Sequence, residues 1–186
     1  MPTRGALRSQ CLERRRAWVE GPQAAAGRAA LAHHLKALIE RLEPQCLGLY
    51  WPIRSEFNAV EVFGADSRTS GLPLALPFTR REPRRMVYRA WNGGTPELVD
   101  ECGIASTGAA EVLPDVVLVP CLGYTRDGYR LGYGAGYFDR WLAAQPQVTA
   151  IGVAWSVGEV DAQAGFVPQP HDQPLTLIVT ERGIVE

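Results

Sequence analysis

The chain has 186 residues, of which 46% are hydrophobic and 21% charged, values typical of a single globular domain with a sizeable core. Its formal net charge of −1 argues against a general nucleic-acid binder, which needs a strong positive field. No apolar run approaches the roughly 18 residues of a membrane span, and the N-terminus lacks the apolar stretch of a secretory signal.

The use of cysteine and of basic residues is also informative. The four cysteines are irregularly spaced and form no C-x-x-C pair, so neither a zinc site nor a thioredoxin-type motif is indicated. We expect reduced thiols in a cytoplasmic protein. Of the 19 basic residues only Lys36 is a lysine, and the other eighteen are arginines. Because this bias runs along the whole chain, we do not interpret each arginine as a functional choice.

Hydrophobic periodicity predicts helices that alternate with strands. The predicted elements, in chain order, are helices over 4–20 and 24–42, a strand over 46–51, a short helix over 58–66, strands over 72–78 and 86–91, a loop over 92–112, a strand over 116–119, a helix over 137–144, and strands over 148–155 and 175–180. This order implies a layered, Rossmann-like α/β fold with a largely parallel sheet flanked by helices, in a single domain over residues 1–186.

A glycine-rich segment between the central strand and the following helix is the most informative part of the chain. Glycine lets backbone N–H groups approach a ligand closely, and the N-terminus of a helix attracts phosphate. Arg130, at the start of this loop, could clamp phosphate oxygens, and Asp139, in the first helical turn, could hold magnesium. The glycines that precede the helix are Gly128, Gly132, Gly134 and Gly136.

The glycine spacing alone leaves a structural alternative open. Closely spaced glycines often mark only a tight or flexible turn, and a carboxylate in the first helical turn also interacts with the helix dipole. The segment is not a Walker A loop, because G-x-x-x-x-G-K-[ST] does not occur. Its third glycine also comes one residue too early for the dinucleotide-binding fingerprint. Phosphate binding is therefore a hypothesis when it rests on the spacing alone.

A long ordered match to one family extends well beyond these glycines. Residues 119–140 read V-P-C-L-G-Y-T-R-D-G-Y-R-L-G-Y-G-A-G-Y-F-D-R. They resemble the 5-formyltetrahydrofolate cyclo-ligase motif V-P-G-L-A-F-D-x-x-G-x-R-L-G-x-G-x-G-Y-Y-D-R. Flanking segments follow in the family's order: R-G-A-L-R at 4–8, Y-W-P-I-R-S-E at 50–56, P-D at 114–115 and F-V-P-Q-P-H-D-Q-P-L-T-L-I-V-T-E at 166–181. The resemblance spans essentially the whole chain.

The resemblance implies an enzyme that uses ATP and Mg²⁺ to cyclise 5-formyltetrahydrofolate to 5,10-methenyltetrahydrofolate, with release of ADP and phosphate. It implies a cytoplasmic monomer or weak homo-oligomer whose partners are small molecules, a reduced folate and ATP, with no nucleic acid and no membrane. Two alternatives stay open. One is a diverged, non-catalytic paralogue that binds folate or nucleotide, and the other is a different enzyme on the same fold, such as a small-molecule kinase.

The same resemblance assigns roles to individual residues. Asp139 and Asp172 would hold magnesium, since two carboxylates beside phosphates commonly share this cation, and Arg130 would be the catalytic residue that orients ATP. The residues that would bind ATP are Arg4, Arg8, Arg130, Leu131, Gly132, Tyr133, Gly134, Ala135, Gly136, Tyr137 and Phe138. Those that would contact the folate are Trp51, Glu56, Tyr133, Gly134, Gly136 and Tyr137. Without the family, Glu56 reads as an ordinary loop carboxylate, and Trp51 could equally close the core.

Four positions depart from the family pattern. Cys121 replaces a glycine, Ala135 replaces a glycine or another loop residue, and Phe138 lacks the hydroxyl of a tyrosine. Arg4 stands where the family has a lysine that contacts ATP. Arg4 and Phe138 favour the non-catalytic alternative, whereas the chain-wide use of arginine favours a replacement that retains function. We expect Cys121 not to be a nucleophile, because no motif provides a base for it, and His171 to hold the shape of its loop.

Overall fold

The structure, a computed structural model, describes residues 3–161 and 165–185, with residues 65–70 described by their backbone alone. The helices are α1 (Arg4–Glu20), α2 (Ala24–Leu42), α3 (Ala59–Ser70) and α4 (Tyr137–Ala144), with a 3₁₀ turn at Ser156–Gly158. The strands are β1 (Leu47–Gly48), β2 (Leu74–Arg80), β3 (Arg85–Trp91), β4 (Leu98–Val99), β5 (Ala105–Ser106), β6 (Glu111–Val112), β7 (Val116–Pro120), β8 (Gly123–Tyr124), β9 (Arg130–Leu131), β10 (Thr149–Val153), β11 (Leu177–Thr180) and β12 (Gly183–Ile184).

An eight-stranded sheet in the order β12-β11-β10-β7-β1-β2-β3-β6 forms the centre of the fold. The five strands β11, β10, β7, β1 and β2 are parallel. At the two sides of the sheet β12, β3 and β6 pair antiparallel with their neighbours. This arrangement confirms the predicted layered α/β fold with a largely parallel sheet flanked by helices.

The central strands are buried on both faces of the sheet, as parallel strands usually are. Val116 and Leu118 of β7 belong to the core cluster formed with α2 and α3, whereas Val117 and Val119 belong to the cluster formed with α4. Successive residues of a strand point to opposite faces, so one apolar run serves both layers. The continuous apolar sequence of residues 116–119 is explained by this double burial.

Helix α1 packs against the glycine-rich segment. Its buried residues, Leu7, Cys11 and Arg15, recur at every fourth position and therefore lie on one face. Leu7 and Cys11 join Leu131 and Phe166 in a core cluster separate from the two main layers. This packing brings the arginines at the beginning of α1 to the same part of the molecule as the glycines.

The predicted elements differ from the structure mainly where strands are short. The loop predicted over 92–112 is wrong in part, because β4, β5 and β6 lie within it; strands of two residues are too short to show a period of two. The strand predicted over 46–51 is reduced to β1, although the Leu49 N–H still donates to the Ala75 carbonyl at 2.8 Å. Within the described part of the chain, no helix has the length and apolar character needed to cross a membrane.

Candidate active site

The residues predicted to bind ATP, folate and magnesium line one cavity of about 280 Å³. It opens where β1 and β7 end, since Trp51 follows β1 and Pro120 closes β7. Ligands of open α/β sheets bind at this carboxyl edge. Its volume is at the lower end of the roughly 300–1,000 Å³ of ligand pockets. The predicted residues brought together are Arg4, Arg8, Trp51, Glu56, the run 130–139 and Asp172.

Arg130 lies on a strand and not in an open loop. Strands β8 and β9 form a hairpin whose turn contains Gly128, with a φ of 83°. The Arg130 side chain is only 5% exposed, and its Nη2 donates to the Asp139 carboxylate at 2.9 Å. Its Nε is buried without a partner among the described residues. A buried donor without a partner is costly, and an anion in the cavity could accept from it.

Two glycines allow arginine side chains to lie directly on the loop backbone. A Cβ at Gly132 would be 2.5 Å from Arg130 Nη1. A Cβ at Gly134, where φ is +96°, would be 3.1 Å from Arg8 Cζ. The Nε of Arg8 donates to the Gly132 carbonyl at 2.8 Å. Because Gly136 is the N-cap of α4, two guanidinium groups flank a glycine loop that leads into a helix N-terminus, an arrangement suited to phosphate.

The side chains of the segment 131–138 divide between the core and the cavity. Leu131 is buried against α1, so only its backbone is available to a ligand. The Phe138 ring lies under Arg130, with the guanidinium carbon 5.3 Å from the ring centre. The Tyr137 hydroxyl donates to the Arg80 carbonyl at 3.1 Å. The phenylalanine at 138 therefore keeps an aromatic surface for the arginine although it lacks a hydroxyl.

Arg4 reaches the cavity and pairs there with Asp172. Its Nη1 is 3.3 Å from Asp172 Oδ1, and its Nη2 donates to Oδ2 and also to the Val167 carbonyl at 3.3 Å. The guanidinium carbon lies 5.0 Å from the centre of the Phe166 ring. Burial alone would raise the pKa of Asp172, but hydrogen bonds from Arg4 and from the Gln169 N–H outweigh it and lower the pKa. Arginine at position 4 thus has a well-defined set of partners.

Asp139 and Asp172 offer a donor set that fits Mg²⁺. The N–H of Gln173 lies 3.5 Å from Asp139 Oδ1, so the segment that carries Asp172 lies against Asp139. Over residues 3–161 and 165–185, no group of three or more His, Cys, Asp or Glu side chains could hold a metal ion by itself. Mg²⁺ usually takes only one or two carboxylates and completes its shell with phosphate oxygens and water. Asp139 and Asp172 could therefore supply the protein ligands of such an ion.

Glu56 lies in a tight turn that follows β1. The two preceding residues, Arg54 and Ser55, both have positive φ, of 47° and 65°. The Ile53 N–H donates to Glu56 Oε2 at 2.8 Å, and the Glu56 N–H donates to the Ile53 carbonyl at 3.1 Å. Burial raises the pKa of Glu56 to about 7, although the hydrogen bond from Ile53 and neighbouring positive charge oppose the rise. A carboxyl group that titrates near neutral pH beside a cavity is typical of a functional site.

The structure is compatible with both roles that the sequence leaves open for Trp51. Its ring meets the Trp91 ring edge to face, with centres 6.4 Å apart, and packs against the main core. The same side chain lines the cavity, where a flat heterocycle could stack on it.

Burial raises the pKa of Cys121 to about 12, so this thiol stays protonated, as expected for a residue that is not a nucleophile. His171 is exposed at the cavity, with Nε2 3.8 Å from Asp172 Oδ1.

One wall of the cavity was missed by the sequence interpretation. It comes from the β4–β5 hairpin, which contributes Asp100, Cys102 and Ile104. The buried Asp100 carboxylate accepts the N–H groups of Thr79, Cys102 and Ile104 at 3.1, 2.9 and 2.9 Å. The only local signal is an Asp-x-x-Gly turn that ends in Gly103, with a φ of 80°. Nothing in that signal relates the turn to the glycine-rich segment.

The fold and the cavity define the class of protein: a layered α/β protein in which an arginine-flanked glycine loop and a carboxyl-bearing turn face one cavity. The chain belongs to the 5-formyltetrahydrofolate cyclo-ligase family, whose sequence model matches residues 1–181. The predicted family is therefore confirmed, and with it a ligase of folate one-carbon metabolism.

Relatives of known name agree with this membership. The 5-formyltetrahydrofolate cyclo-ligase of Mycoplasma pneumoniae is 30% identical over 141 residues, 73% of this chain and 72% of that protein. The cyclo-ligase of Mycolicibacterium smegmatis is 36% identical over 126 residues, 65% of this chain and 59% of that protein.

Two solved structures share the fold. The 5,10-methenyltetrahydrofolate synthetase of Mycoplasma pneumoniae matches with a TM-score of 0.76 at 24% identity, over 97% of this chain and 99% of that one. The synthetase of Aquifex aeolicus also matches with a TM-score of 0.76 at 24% identity, over 97% of this chain and 91% of that one. At this identity the likeness concerns the fold.

Proposed function

We propose that the chain catalyses the ATP- and Mg²⁺-dependent cyclisation of 5-formyltetrahydrofolate to 5,10-methenyltetrahydrofolate, with release of ADP and phosphate. The observation that carries the proposal is that one cavity collects a glycine-rich loop, the arginines that lie beside it and, on another wall, the Glu56 carboxyl. Membership of the cyclo-ligase family supports it. A site that binds both a phosphate donor and a second substrate is what this reaction requires.

The arginines would bind and orient ATP. In the proposed reaction the terminal phosphoryl group of ATP passes to the formyl oxygen, so that this oxygen can later leave as phosphate. Arg130 has a buried Nε donor without a partner among the described residues, and Arg8 is anchored on the Gly132 carbonyl. Both side chains could therefore donate to phosphate oxygens with little reorganisation. The protein would contribute mainly positioning and charge neutralisation, as in other phosphoryl transfers.

Asp139 and Asp172 would hold Mg²⁺, which supplies neutralisation of phosphate charge when it is bound. In this structure each carboxylate pairs with an arginine, Asp139 with Arg130 and Asp172 with Arg4. A carboxylate has two oxygens and about four lone-pair sites, so each of the two could keep its arginine and still offer a lone pair to a cation. The two ion pairs would therefore hold the carboxylates in place before the substrates bind.

Glu56 and Trp51 would hold the pterin. An ionised carboxylate accepts hydrogen bonds, and the pterin ring offers N–H donors to Glu56 and a flat face to Trp51. The folate's own N10 then attacks the activated formyl carbon and loses its proton, and the former formyl oxygen departs with the phosphate. No covalent nucleophile of the protein is needed, in agreement with the high pKa of Cys121.

Release of ADP tests this proposal against its two alternatives. We expect ADP to appear only when 5-formyltetrahydrofolate and Mg²⁺ are both present, at one ADP for each methenyl product. ADP release that does not depend on 5-formyltetrahydrofolate would favour a small-molecule kinase. Tight ATP or folate binding without any ADP release would favour a non-catalytic paralogue.

We further propose that residues 1–186 act as a single cytoplasmic domain, as a monomer or weak homo-oligomer. The four cysteines are all free thiols, which is compatible with a reducing compartment. Sedimentation equilibrium over a range of protein concentrations tests the assembly state. A stable oligomer at the lowest measurable concentration would contradict it.

A further inference from the structure

Arg15 of α1 is an arginine at a position where the pattern of the helix predicts an apolar residue. It continues the buried face formed by Leu7 and Cys11, and only 2% of its surface is exposed. Burying a guanidinium group is costly unless it is hydrogen-bonded and an opposite charge is near. Its partners therefore indicate what the residue does.

The guanidinium of Arg15 joins two walls of the cavity. One of its nitrogens donates to the Tyr133 hydroxyl of the glycine-rich segment and, at 3.0 Å, to the Arg54 carbonyl in the turn that carries Glu56. A hydrogen-bonding interaction with the Tyr133 hydroxyl is among the causes that lower the pKa of the Glu56 carboxyl. Arg15 thus contacts both the tyrosine that interacts with Glu56 and the backbone of the turn that carries Glu56.

Two guanidinium groups lie close to the Tyr133 ring. The guanidinium carbon of Arg54 lies 5.1 Å from the ring centre and that of Arg15 lies 5.9 Å from it. The hydroxyl and the carbonyl that Arg15 contacts are neutral, so they satisfy hydrogen bonds without balancing its charge. The Glu56 carboxylate is a negative group whose charge interacts with that of Arg15.

We propose that Arg15 is a positioning residue for the folate, which holds Tyr133 and the Glu56 turn in the orientation that receives the pterin. The identity of the ligand rests on the proposed function, whereas the geometry does not. Arg15 itself does not line the cavity and would act through Tyr133 and Glu56.

The charges around Glu56 make this role measurable. Groups face the carboxyl from five elements: Arg54 from its own turn, Arg15 from α1, Tyr133 from the glycine-rich segment, Tyr50 from the end of β1 and Cys121 from the end of β7. Burial raises the pKa of the Tyr50 and Cys121 side chains, so both are neutral near pH 7. Arg15 and Arg54 are then the groups whose charge lowers the pKa of Glu56.

Arg15→Met removes the charge and both hydrogen bonds while keeping an unbranched side chain in the core. We expect the pKa of Glu56, about 7 in the unchanged protein, to rise by about one unit, the lower end of the effect of a nearby opposite charge. At pH 7 this shift alone would raise the folate KM about fivefold, because only the ionised carboxylate accepts the pterin N–H groups. The ATP KM should change less than about twofold.

Carboxyl ¹³C NMR of protein labelled at glutamate Cδ tests the proposal without any turnover, with Glu56→Gln identifying the resonance. The pH midpoint of the Glu56 titration, called the Glu56 midpoint below, should move upward in Arg15→Met. It should move less in Arg15→Lys, which keeps the charge. It should stay unchanged in Arg16→Met, the same substitution at an exposed position of the same helix. Tyr133→Phe, which removes only the linking hydroxyl, should also move it upward.

Parallel kinetics on 5-formyltetrahydrofolate complete the experiment. A rise of the folate KM in Arg15→Met with an unchanged ATP KM supports the proposal. An unchanged Glu56 midpoint in folded Arg15→Met, or equal rises of both KM values with an unchanged midpoint, would overturn it. If Arg15→Met fails to fold by circular dichroism, Arg15→Lys and Tyr133→Phe decide in the same way. A shifted midpoint in a protein without cyclo-ligase activity would contradict the proposed function and leave the positioning role standing.

Discussion

Replacing Arg4 by alanine tests whether the chain is an active cyclo-ligase or a paralogue that has lost the activity. We propose that position 4 contacts ATP, and the structure shows which groups the arginine contacts there. It donates twice to Asp172 and once, at 3.3 Å, to the Val167 carbonyl, and it stacks on Phe166. Its planar group has several donors, so it can contact a carboxylate and a phosphate at the same time.

The expected loss follows from one phosphate contact. A hydrogen bond to a charged group contributes about 1.5–3 kcal/mol. At about 1.4 kcal/mol for each factor of ten, Arg4→Ala should raise the ATP KM about 10- to 150-fold. The folate KM should change less than about threefold, because the hydrogen bonds of Arg4 involve neither Glu56 nor its partners. Arg4→Lys keeps the charge but has a single nitrogen, so its ATP KM should lie between those of the alanine variant and the unchanged protein.

Steady-state kinetics with ATP and 5-formyltetrahydrofolate varied separately measure both KM values. Arg16→Ala, which removes an exposed arginine of the same helix, is the matched control and should leave them unchanged. An unaltered ATP KM in Arg4→Ala would refute the phosphate contact. An inactive unchanged protein that gains turnover through Arg4→Lys would show that the site has decayed and would support the non-catalytic alternative.

Three further substitutions probe the other parts of the site. Asp139→Asn should weaken the magnesium dependence and lower the rate at least about tenfold, a barrier change of roughly 1.4 kcal/mol. Asp127→Asn, at an exposed turn, is its control. Unaltered kinetics in Asp139→Asn would mean that the carboxylate only pairs with Arg130. Because Glu56 must be ionised to accept the pterin and its pKa is about 7, the folate KM should rise about tenfold from pH 8 to pH 6. Glu56→Gln should abolish this dependence and raise the folate KM more than the ATP KM, whereas a flat profile in the unchanged protein would contradict the assignment. Gly134→Ala should raise the ATP KM, because the new Cβ would displace Arg8. Gly71 also has a positive φ, but no atom lies within 4 Å of the Cβ that Gly71→Ala would add, so this control should only lower stability. Equal effects of the two variants on the ATP KM would rule out the displacement of Arg8.

The elements predicted best are those with a strong local pattern. Helices α1, α2 and α4 begin and end at the predicted residues, because apolar residues among polar ones and a following glycine or proline define them locally. The β8–β9 hairpin and the strands within 92–112 were missed, since strands of two residues exist through pairing with a partner elsewhere in the chain. Arg130 was consequently expected in an open loop and lies on β9.

At the site, too, local motifs were predicted from the sequence, whereas contacts between distant segments were not. Ordered motifs predicted which residues gather at the cavity, but no motif relates Arg4 to Asp172, which is 168 positions away. Among eighteen arginines, Arg15 has only one distinguishing feature, its position four residues after Cys11 on the buried face of α1. Its partners Tyr133 and Arg54 come from two other segments, so its role depends on tertiary structure.

Formation of the methenyl product is the most direct test of the proposed cyclo-ligase activity. Purified protein is mixed with 5-formyltetrahydrofolate, ATP and Mg²⁺, and the near-ultraviolet absorbance of 5,10-methenyltetrahydrofolate is followed, with ATP and Mg²⁺ omitted in turn. We expect product only in the complete mixture. Product without ATP, or no product at any substrate concentration despite ATP binding, would contradict the proposed reaction.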